Sequence, residues 1–156
     1  MFPLTDVFSG TVRGFYYRGV GHTYKGIEGP KSRLAFIPPF YKKADAVFVC
    51  EGPFDMYAVW RQRRLLGFPN ATAIAIVGAH VTPEQTTFIS DYPRIIWALD
   101  RDYAGEKEMR KAKPLKARQY VLEYDSVDGD PDKGKNFRVV DYNPMEAVRL
   151  PGYLRR

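Results

Sequence analysis

The sequence predicts an α/β fold with about four parallel strands flanked by helices, preceded by a short basic segment rich in β-strands. Residues 46–50 and 95–99 are continuous apolar runs of β-branched and aromatic side chains, which is typical of strands buried in a parallel sheet. Such runs alternate with stretches of helical character, the order that right-handed crossovers produce. We therefore expect one parallel sheet to form the core.

The amino-terminal segment, residues 1–45, is expected to form short antiparallel strands over residues 10–38. There, glycines interrupt a sequence rich in Tyr, Phe, Val and Arg. Cations outnumber acids in this segment, and aromatic residues lie between them. That mixture can contact the phosphates and stack on the bases of a single nucleic-acid strand, while a half-buried hairpin with solvated charges remains the alternative.

From residue 46 onward, strands and helices are expected to alternate. The first helix begins at Pro53, since proline favours the first helical position, and stops near Gly67. Thr82 is the expected N-cap of the second helix. The predicted strands cover residues 46–50, 73–77, 94–99 and 119–122; the later helices cover residues 83–90, 104–113 and 145–149; residues 125–135 form a polar loop, and residues 137–140 a short segment after it.

Composition narrows the class of protein. With 156 residues, the chain has room for one domain, or one domain plus an appendage. No apolar stretch approaches the roughly 20 residues of a membrane span, and residues 1–6 do not resemble a signal peptide, so we expect no membrane partner and a cytoplasmic location. The single cysteine, Cys50, agrees with a reducing compartment and is expected to fill the core. The net charge of +6 points toward polyanionic partners.

Acidic residues follow two of the predicted strands. Glu51 comes directly after the first strand and Asp100 and Asp102 after the third, so their carboxylates should share the crevice at the carboxyl edge of the sheet. Two carboxylates about 4 Å apart repel by about 4 kcal/mol at an effective dielectric near 20, which favours a bound cation. Oxygen ligands suit Mg²⁺ or Mn²⁺ rather than zinc. The alternative is that these acids cap helices.

Three motifs, in order along the chain, resemble those of the Toprim domain, which has a Rossmann-like core. They are Glu51-Gly52-Pro53-Phe54-Asp55, then Gly78 ahead of Thr82-Pro83-Glu84-Gln85, then Asp100-Arg101-Asp102-Tyr103-Ala104-Gly105. Within that family the chain is most similar to the catalytic core of bacterial and phage primases. The resemblance covers about residues 44–146 and implies a catalytic domain at residues 46–150, followed by a basic tail at residues 151–156.

The resemblance also implies site residues. Glu51 would be the acid/base glutamate and a metal ligand, and Asp100 and Asp102 would bind Mg²⁺, with Mn²⁺ as the alternative ion. Asp55 and Asp141 would be secondary acids near the metals, the latter because Asp141-Tyr142-Asn143-Pro144 is similar to a later segment of primases. No zinc is expected, since the sequence has no cysteine set for it.

The implied activity is nucleotidyl transfer that makes RNA primers from nucleoside triphosphates on single-stranded DNA. From charge and position, four amino-terminal cations would hold template phosphate: Arg13, Arg18, Lys31 and Arg33. Lys107 and Arg110 could meet nucleotide phosphates, although a solvated helix face is the favoured interpretation. The chain lacks a Gly-x-x-x-x-Gly-Lys phosphate loop, so a replicative helicase or a zinc-module protein is an expected partner in a bacterial or phage-infected cell.

Other functions remain open. The same acids could direct water at a phosphodiester in a Toprim nuclease, or the chain could be a non-catalytic binding module. A topoisomerase would need a separate domain for its cleaving tyrosine, for which there is no room. An excised fragment, a reduced phage primase and a protein that needs a partner are all compatible with the sequence.

Several patterns argue against further sites. Asp128, Asp130 and Asp132 alternate as in a calcium loop, but Lys133 stands where glycine is needed and Val139 where the bidentate acid is needed. The two histidines, His22 and His80, are single and far apart, and Trp60 and Trp97 are expected to anchor the core.

Overall fold

Two β-sheets and three helices make up the described part of the chain. The computed structural model describes residues 1–19, 25–38, 44–78, 80–100, 102–111, 116–126 and 129–142. The strands are β1 (Phe2–Asp6), β2 (Val12–Arg18), β3 (Lys25–Glu28), β4 (Leu34–Ala35), β5 (Ala46–Cys50), β6 (Ala71–Ala75), β7 (Arg94–Ala98), β8 (Arg118–Asp125) and β9 (Lys135–Asp141). The helices are α1 (Pro53–Gln62), α2 (Pro83–Ile89) and α3 (Tyr103–Lys111), and short 3₁₀ turns cover Lys31–Arg33 and Pro131–Lys133.

The larger sheet has the strand order β6-β5-β7-β8-β9. β5 pairs in parallel with β6 and β7, β7 pairs in parallel with β8, and β9 adds an antiparallel edge. The predicted α/β core with four parallel strands is therefore confirmed. β5 has the predicted bounds, whereas β6 begins two residues earlier than expected and β8 is longer.

Both faces of this sheet are buried, which explains its continuous apolar strands. In β5, Phe48 and Cys50 point into one core cluster and Val47 and Val49 into the other, and all four are fully buried. Cys50 thus fills the core as expected. Trp97 is also buried, but Trp60 is only partly so, and the guanidinium of Arg63 lies 3.9 Å above its ring.

The smaller sheet is antiparallel, with the order β3-β2-β1-β4. β1 was not predicted, because a proline inside a strand argues against one. The register explains the exception. On one side of β1, β4 pairs only with Thr5 and Asp6, so Pro3 has no partner from β4 on that side.

Helix α2 joins the two sheets. Thr82 is its N-cap, as predicted, and the Thr82 side chain accepts a hydrogen bond from the backbone N–H of Gln85. The same hydroxyl donates to the carbonyl oxygen of Ser32, in the 3₁₀ turn that precedes β4. Phe36 and Ala75 exchange two backbone hydrogen bonds of 2.8 and 3.0 Å. The amino-terminal sheet is therefore fastened to the edge of the larger one.

Among the described residues, no helix is both long enough and apolar enough to cross a membrane. The helix predicted over residues 145–149 and the basic tail at residues 151–156 lie outside the described residues. The charged helix predicted over residues 104–113 is observed as α3, ending at Lys111 with the next four residues outside the described part.

Candidate active site

The strand register brings several acids to one edge of the larger sheet. Cys50 pairs with Ala75 on one side and with Ala98 on the other, so the carboxyl ends of three strands are level. Glu51 follows β5 directly and Asp100 lies two residues beyond β7. Both line a cleft of about 940 Å³, together with Asp55 from the first turn of α1.

Burial and mutual repulsion perturb the two acids at the centre. Burial first, and then the negative charges of Asp100 and Asp102, raise the pKa of Glu51 from 4.5 to about 7, and the backbone N–H of Asp100 opposes that shift. The pKa of Asp100 rises from 3.8 to about 7, again first through burial and then through neighbouring aspartates, of which Asp55 contributes most. Perturbed acids in a cleft are typical of functional sites.

One oxygen of each central acid has no hydrogen-bond partner in the described part of the chain. These oxygens are Oε1 of Glu51 and Oδ1 of Asp100, and both are buried. A buried polar atom without a partner costs about 1–3 kcal/mol, so such atoms call for an explanation. A ligand that supplies positive charge or hydrogen-bond donors to the cleft would provide one.

Asp55 differs from these two because its oxygens are engaged. Oδ2 accepts a hydrogen bond of 3.2 Å from the backbone N–H of Gly52, at the start of α1, and Oδ1 accepts one of 3.3 Å from the backbone N–H of Asp132. Burial, followed by the charge of Asp132, nevertheless raises the pKa of Asp55 to about 6. Asp55 therefore lines the cleft, and its carboxylate also binds the backbone of Gly52 and Asp132.

Asp102 does not line the cleft with Asp100. The strand ends at Ala98, so the extended geometry that would put both side chains on one side does not persist. Oδ1 of Asp102 instead accepts a hydrogen bond of 2.8 Å from the backbone N–H of Gly105, in the first turn of α3. The helix-cap alternative thus holds for this exposed acid, although its charge still acts on Glu51.

Two acids at the cleft were missed by the sequence analysis. Asp130 and Asp132 flank Pro131 beyond the carboxyl end of β8 and line the cleft. Their pattern was weighed only as a calcium loop and rejected. The signal that could have found them is their position, since they follow the fourth parallel strand just as Glu51 follows the first.

Asp141 was predicted near the metals, and this placement is wrong. β9 runs antiparallel to its neighbour, so its last residue lies at the amino edge of the parallel strands, opposite the cleft. Asp141 is exposed there and accepts two hydrogen bonds, of 3.1 and 3.4 Å, from the guanidinium of Arg118.

Of the four cations predicted to hold template phosphate, Arg18 and Lys31 line the cleft. Arg33 does not, since its guanidinium pairs with Asp6 at 3.1 Å and lies over the ring of Phe8. Arg13 is exposed on β2, outside the cleft, and its Nε donates to the hydroxyl of Thr11.

The structure describes the side chain of one of the two helical cations. Lys107 is exposed on α3 and is not among the residues that line the cleft. The side chain of Arg110 lies outside the described part of the structure. The solvated helix face that the sequence favoured therefore agrees with the position of Lys107.

The described residues contain no group of three His, Cys, Asp or Glu side chains placed to hold one ion. Mg²⁺ does not require such a cage, because it keeps several waters and binds through one or two carboxylates plus substrate phosphates. The unpaired oxygens of Glu51 and Asp100 fit that mode. Zinc has no such support here, since Cys50 is in the core and Nδ1 of His80 contacts Glu108 at 2.9 Å.

A parallel sheet with acids at its carboxyl edge, and a glutamate leading into the first helix, agrees with the Toprim-like family. Residues 48–134 match the Toprim-like family, and the chain belongs to that family. A comparison with curated protein sequences gives no match.

Solved structures similar to this chain include primases. The zinc-binding and RNA polymerase domains of the Aquifex aeolicus primase superpose with a TM-score of 0.60 at 23% identity, covering 83% of this chain and 34% of that one. The primase fragment of the bacteriophage T7 primase-helicase gives a TM-score of 0.64 at 17% identity, covering 83% and 54%. The primase domain in a bacteriophage T7 lagging-strand polymerase complex gives 0.57 at 19%, covering 83% and 67%. The chain thus shares the fold of primase cores and spans about a third and about half of the length of the first two.

Proposed function

We propose that this chain is the catalytic core of a primase, which joins ribonucleotides into RNA primers on single-stranded DNA. The observation that carries the proposal is that Glu51 and Asp100, each with a buried carboxylate oxygen that has no partner among the described residues, line a cleft that also contains cationic and aromatic side chains. Membership of the Toprim-like family and the fold shared with primase cores support it.

Glu51 and Asp100 would hold Mg²⁺ in this reaction, with Mn²⁺ as an alternative, and Asp102 would contribute its charge. Bound there, the ion would neutralise charge on the triphosphate and on the departing pyrophosphate. The 3′-oxygen of the growing primer forms a bond to the α-phosphorus, and the bond from that phosphorus to pyrophosphate breaks. Glu51, a carboxylate that lines the cleft, takes the proton of the 3′-hydroxyl.

Lys31 and Arg18 would contact phosphate across the cleft from the acids. The Lys31 ammonium lies near Gly78, where an added Cβ would be 3.5 Å from Nζ, an ordinary van der Waals distance. Both cations belong to the amino-terminal sheet or to the 3₁₀ turn between its strands β3 and β4, and the acids follow strands of the larger sheet or lie in the helix or turn beyond them. The two sheets would therefore close around one nucleotide.

Partners are proposed only for steps other than ribonucleotide addition, which the chain itself is proposed to carry out. A replicative helicase or a zinc-module protein would supply the functions for which this sequence has no phosphate loop and no cysteine set. Single-stranded DNA and nucleoside triphosphates are the proposed substrates.

The test is magnesium-dependent incorporation of labelled ribonucleotides on single-stranded DNA. Glu51→Gln and Asp100→Asn should each lower the rate by about 100-fold or more, the usual effect of removing a general base or its equivalent. Asp91→Asn, which removes an exposed acid after α2, is the matched control and should keep the wild-type rate.

Two outcomes would overturn the proposal. One is wild-type protein that binds single-stranded DNA but makes no product. The other is degradation of labelled DNA or RNA without added nucleotides, lost in Asp100→Asn, which would identify the cleft as that of a nuclease.

A further inference from the structure

One wall of the cleft is aromatic. Phe54 lies in the first turn of α1, three residues after Glu51, and lines the same cleft as the acids. Phe54 is 45% exposed, although other aromatic rings lie beside it. A large apolar side chain that is exposed inside a polar cleft indicates a binding site, whereas a single apolar residue elsewhere on the surface needs no explanation.

The Phe54 ring is held in place. Phe2 meets it edge to face, with ring centroids 5.4 Å apart and an interplanar angle of 84°. The guanidinium carbon of Arg18 lies 5.8 Å from the Phe54 centroid, and Tyr16 lines the cleft on the same side. Two planar groups, a phenyl ring and a guanidinium, thus border the open space next to the acids.

We propose that Phe54 and Arg18 form a nucleobase-binding site. A base stacks against this pair, in which the guanidinium of Arg18 lies over the Phe54 ring, while the phosphates of the same nucleotide lie at the acids and at Lys31. Bases stack both on aromatic rings and on guanidinium planes. The cleft volume of about 940 Å³ is sufficient for a nucleotide. This inference rests on the proposed function for its ligand but is tested separately.

The charges of the cleft favour a nucleotide over an apolar occupant. Of the described residues, five acids and two cations line it: Glu51, Asp55, Asp100, Asp130, Asp132, Arg18 and Lys31. A purely apolar ligand would remove these groups from water without replacing their interactions, which is costly. A nucleotide has an apolar plane at one end for Phe54 and, at the other end, phosphates that bind cations and metal-loaded carboxylates.

The direct test places a fluorescent reporter in the site. In Phe54→Trp, titration with ATP in Mg²⁺ should quench the new emission, because a stacked base lies against the indole. Wild-type protein, titrated in parallel, gives the background from Trp60 and Trp97. Inorganic tripolyphosphate, which has the phosphates but no base, should give less than half of the quench. Equal quenching by ATP and tripolyphosphate would overturn the inference.

A nucleobase can come from two sources. One is a free nucleoside triphosphate and the other is a base of single-stranded DNA, so a second titration uses an oligodeoxynucleotide without nucleoside triphosphate. Quenching by ATP alone assigns the site to the incoming nucleotide, and quenching by the oligonucleotide alone assigns it to the template. Both results support a nucleobase site, whereas no quench by either ligand contradicts it.

Kinetics supply a second measurement with a matched control. Tyr57 lies one turn along α1, is 42% exposed and packs against Phe36, but does not line the cleft. Phe54→Leu should raise KM for nucleotide, or Kd for template, by about 5- to 100-fold, the usual effect of losing one stacking partner. Tyr57→Leu should change neither by more than about two-fold, and Phe54→Tyr should restore the wild-type value.

Failure of the nucleobase site and failure of the proposed function would give different results. Primer synthesis with unchanged constants in Phe54→Leu and no quench in Phe54→Trp would remove the nucleobase site and leave the proposed function standing. A base-specific quench in a protein that makes no primers would do the opposite. Thermal unfolding of Phe54→Leu and Tyr57→Leu checks that both variants are folded.

Discussion

The side-chain amide of Gln85, on α2, donates a hydrogen bond of 2.6 Å to the backbone carbonyl of Leu34, in the amino-terminal sheet. The same nitrogen donates to the carbonyl of Ile76, just beyond β6, at 3.2 Å. Only 1% of Gln85 is exposed. One buried amide thus connects both sheets, and with them both walls of the cleft.

Gln85→Leu should therefore destabilise the protein. The substitution keeps the approximate volume but leaves two buried carbonyls without this donor, at a cost of about 3 kcal/mol in the free energy of unfolding. Denaturant unfolding measures the loss. Thr87→Ala, on the exposed face of the same helix, should stay within about 0.5 kcal/mol of wild type. Equal losses in the two variants would mean that the connection contributes nothing.

Gly105→Ala should displace Asp100. A Cβ on Gly105 would lie 2.3 Å from the backbone oxygen of Asp100, so the helix or the acid must move. We expect a loss of about 1–3 kcal/mol in stability together with a lower rate of primer synthesis. At Gly78 the added methyl would meet Lys31 no closer than 3.4 Å, so Gly78→Ala should lose less stability. A fully stable Gly105→Ala would contradict this account.

Asp100→Asn should stabilise the metal-free protein, and increasingly so with rising pH. The pKa of Asp100 is about 7 in the folded chain against an ordinary 3.8, so the unfolded chain releases this proton first as pH rises. Wild type therefore loses stability, relative to the variant, between pH 3.8 and about 7. Thermal unfolding of both proteins in EDTA measures the difference across that window.

Mg²⁺ provides the control for this experiment. By neutralising the carboxylates, it should reduce the advantage of Asp100→Asn near neutral pH. Asp91→Asn controls for the loss of a charge at an exposed position. A difference between wild type and Asp100→Asn that stays constant with pH would show that the acid is not perturbed by folding.

Asp6 should show the opposite dependence on pH. A hydrogen bond from the backbone N–H of Ser9, with help from Phe8 and Arg33, lowers the pKa of Asp6 below its ordinary 3.8. Its contribution to stability is present above that value and is lost as the pH falls through the lower pKa of the folded state. Asp6→Asn should be less stable than wild type at pH 6, with the gap closing in acid. A gap that widens in acid would refute the assignment.

The core of the fold could be predicted because each parallel strand is covered on both faces. A strand that is buried on both faces needs apolar residues at every position, so β5 and β7 have continuous apolar runs that distinguish them from loops. β1 escaped prediction because Pro3 argues against a strand, and only the register of β4 shows why it is tolerated. Such information depends on pairing between distant segments and cannot be read locally.

The acids of the site also differ in whether their positions could be predicted from the sequence. Glu51 and Asp100 could be located because strand order alone brings the carboxyl ends of β5 and β7 together. Asp141 was misplaced because the antiparallel direction of β9 puts its last residue at the other edge. Asp102 follows a strand that ends earlier than expected, and so it caps α3 instead.

The backbone bridge between Phe36 and Ala75 has a consequence for handling the protein. β6 is an outer strand of the larger sheet, so no described strand of that sheet pairs with its outer side. Amide and carbonyl groups left unpaired there could bind another molecule. Phe36 occupies part of that side with two hydrogen bonds. A truncated protein that starts at residue 45 would uncover it, along with the apolar sequence Ala71–Ala75, and should self-associate. We therefore expect the amino-terminal sheet also to protect the edge of β6 from aggregation.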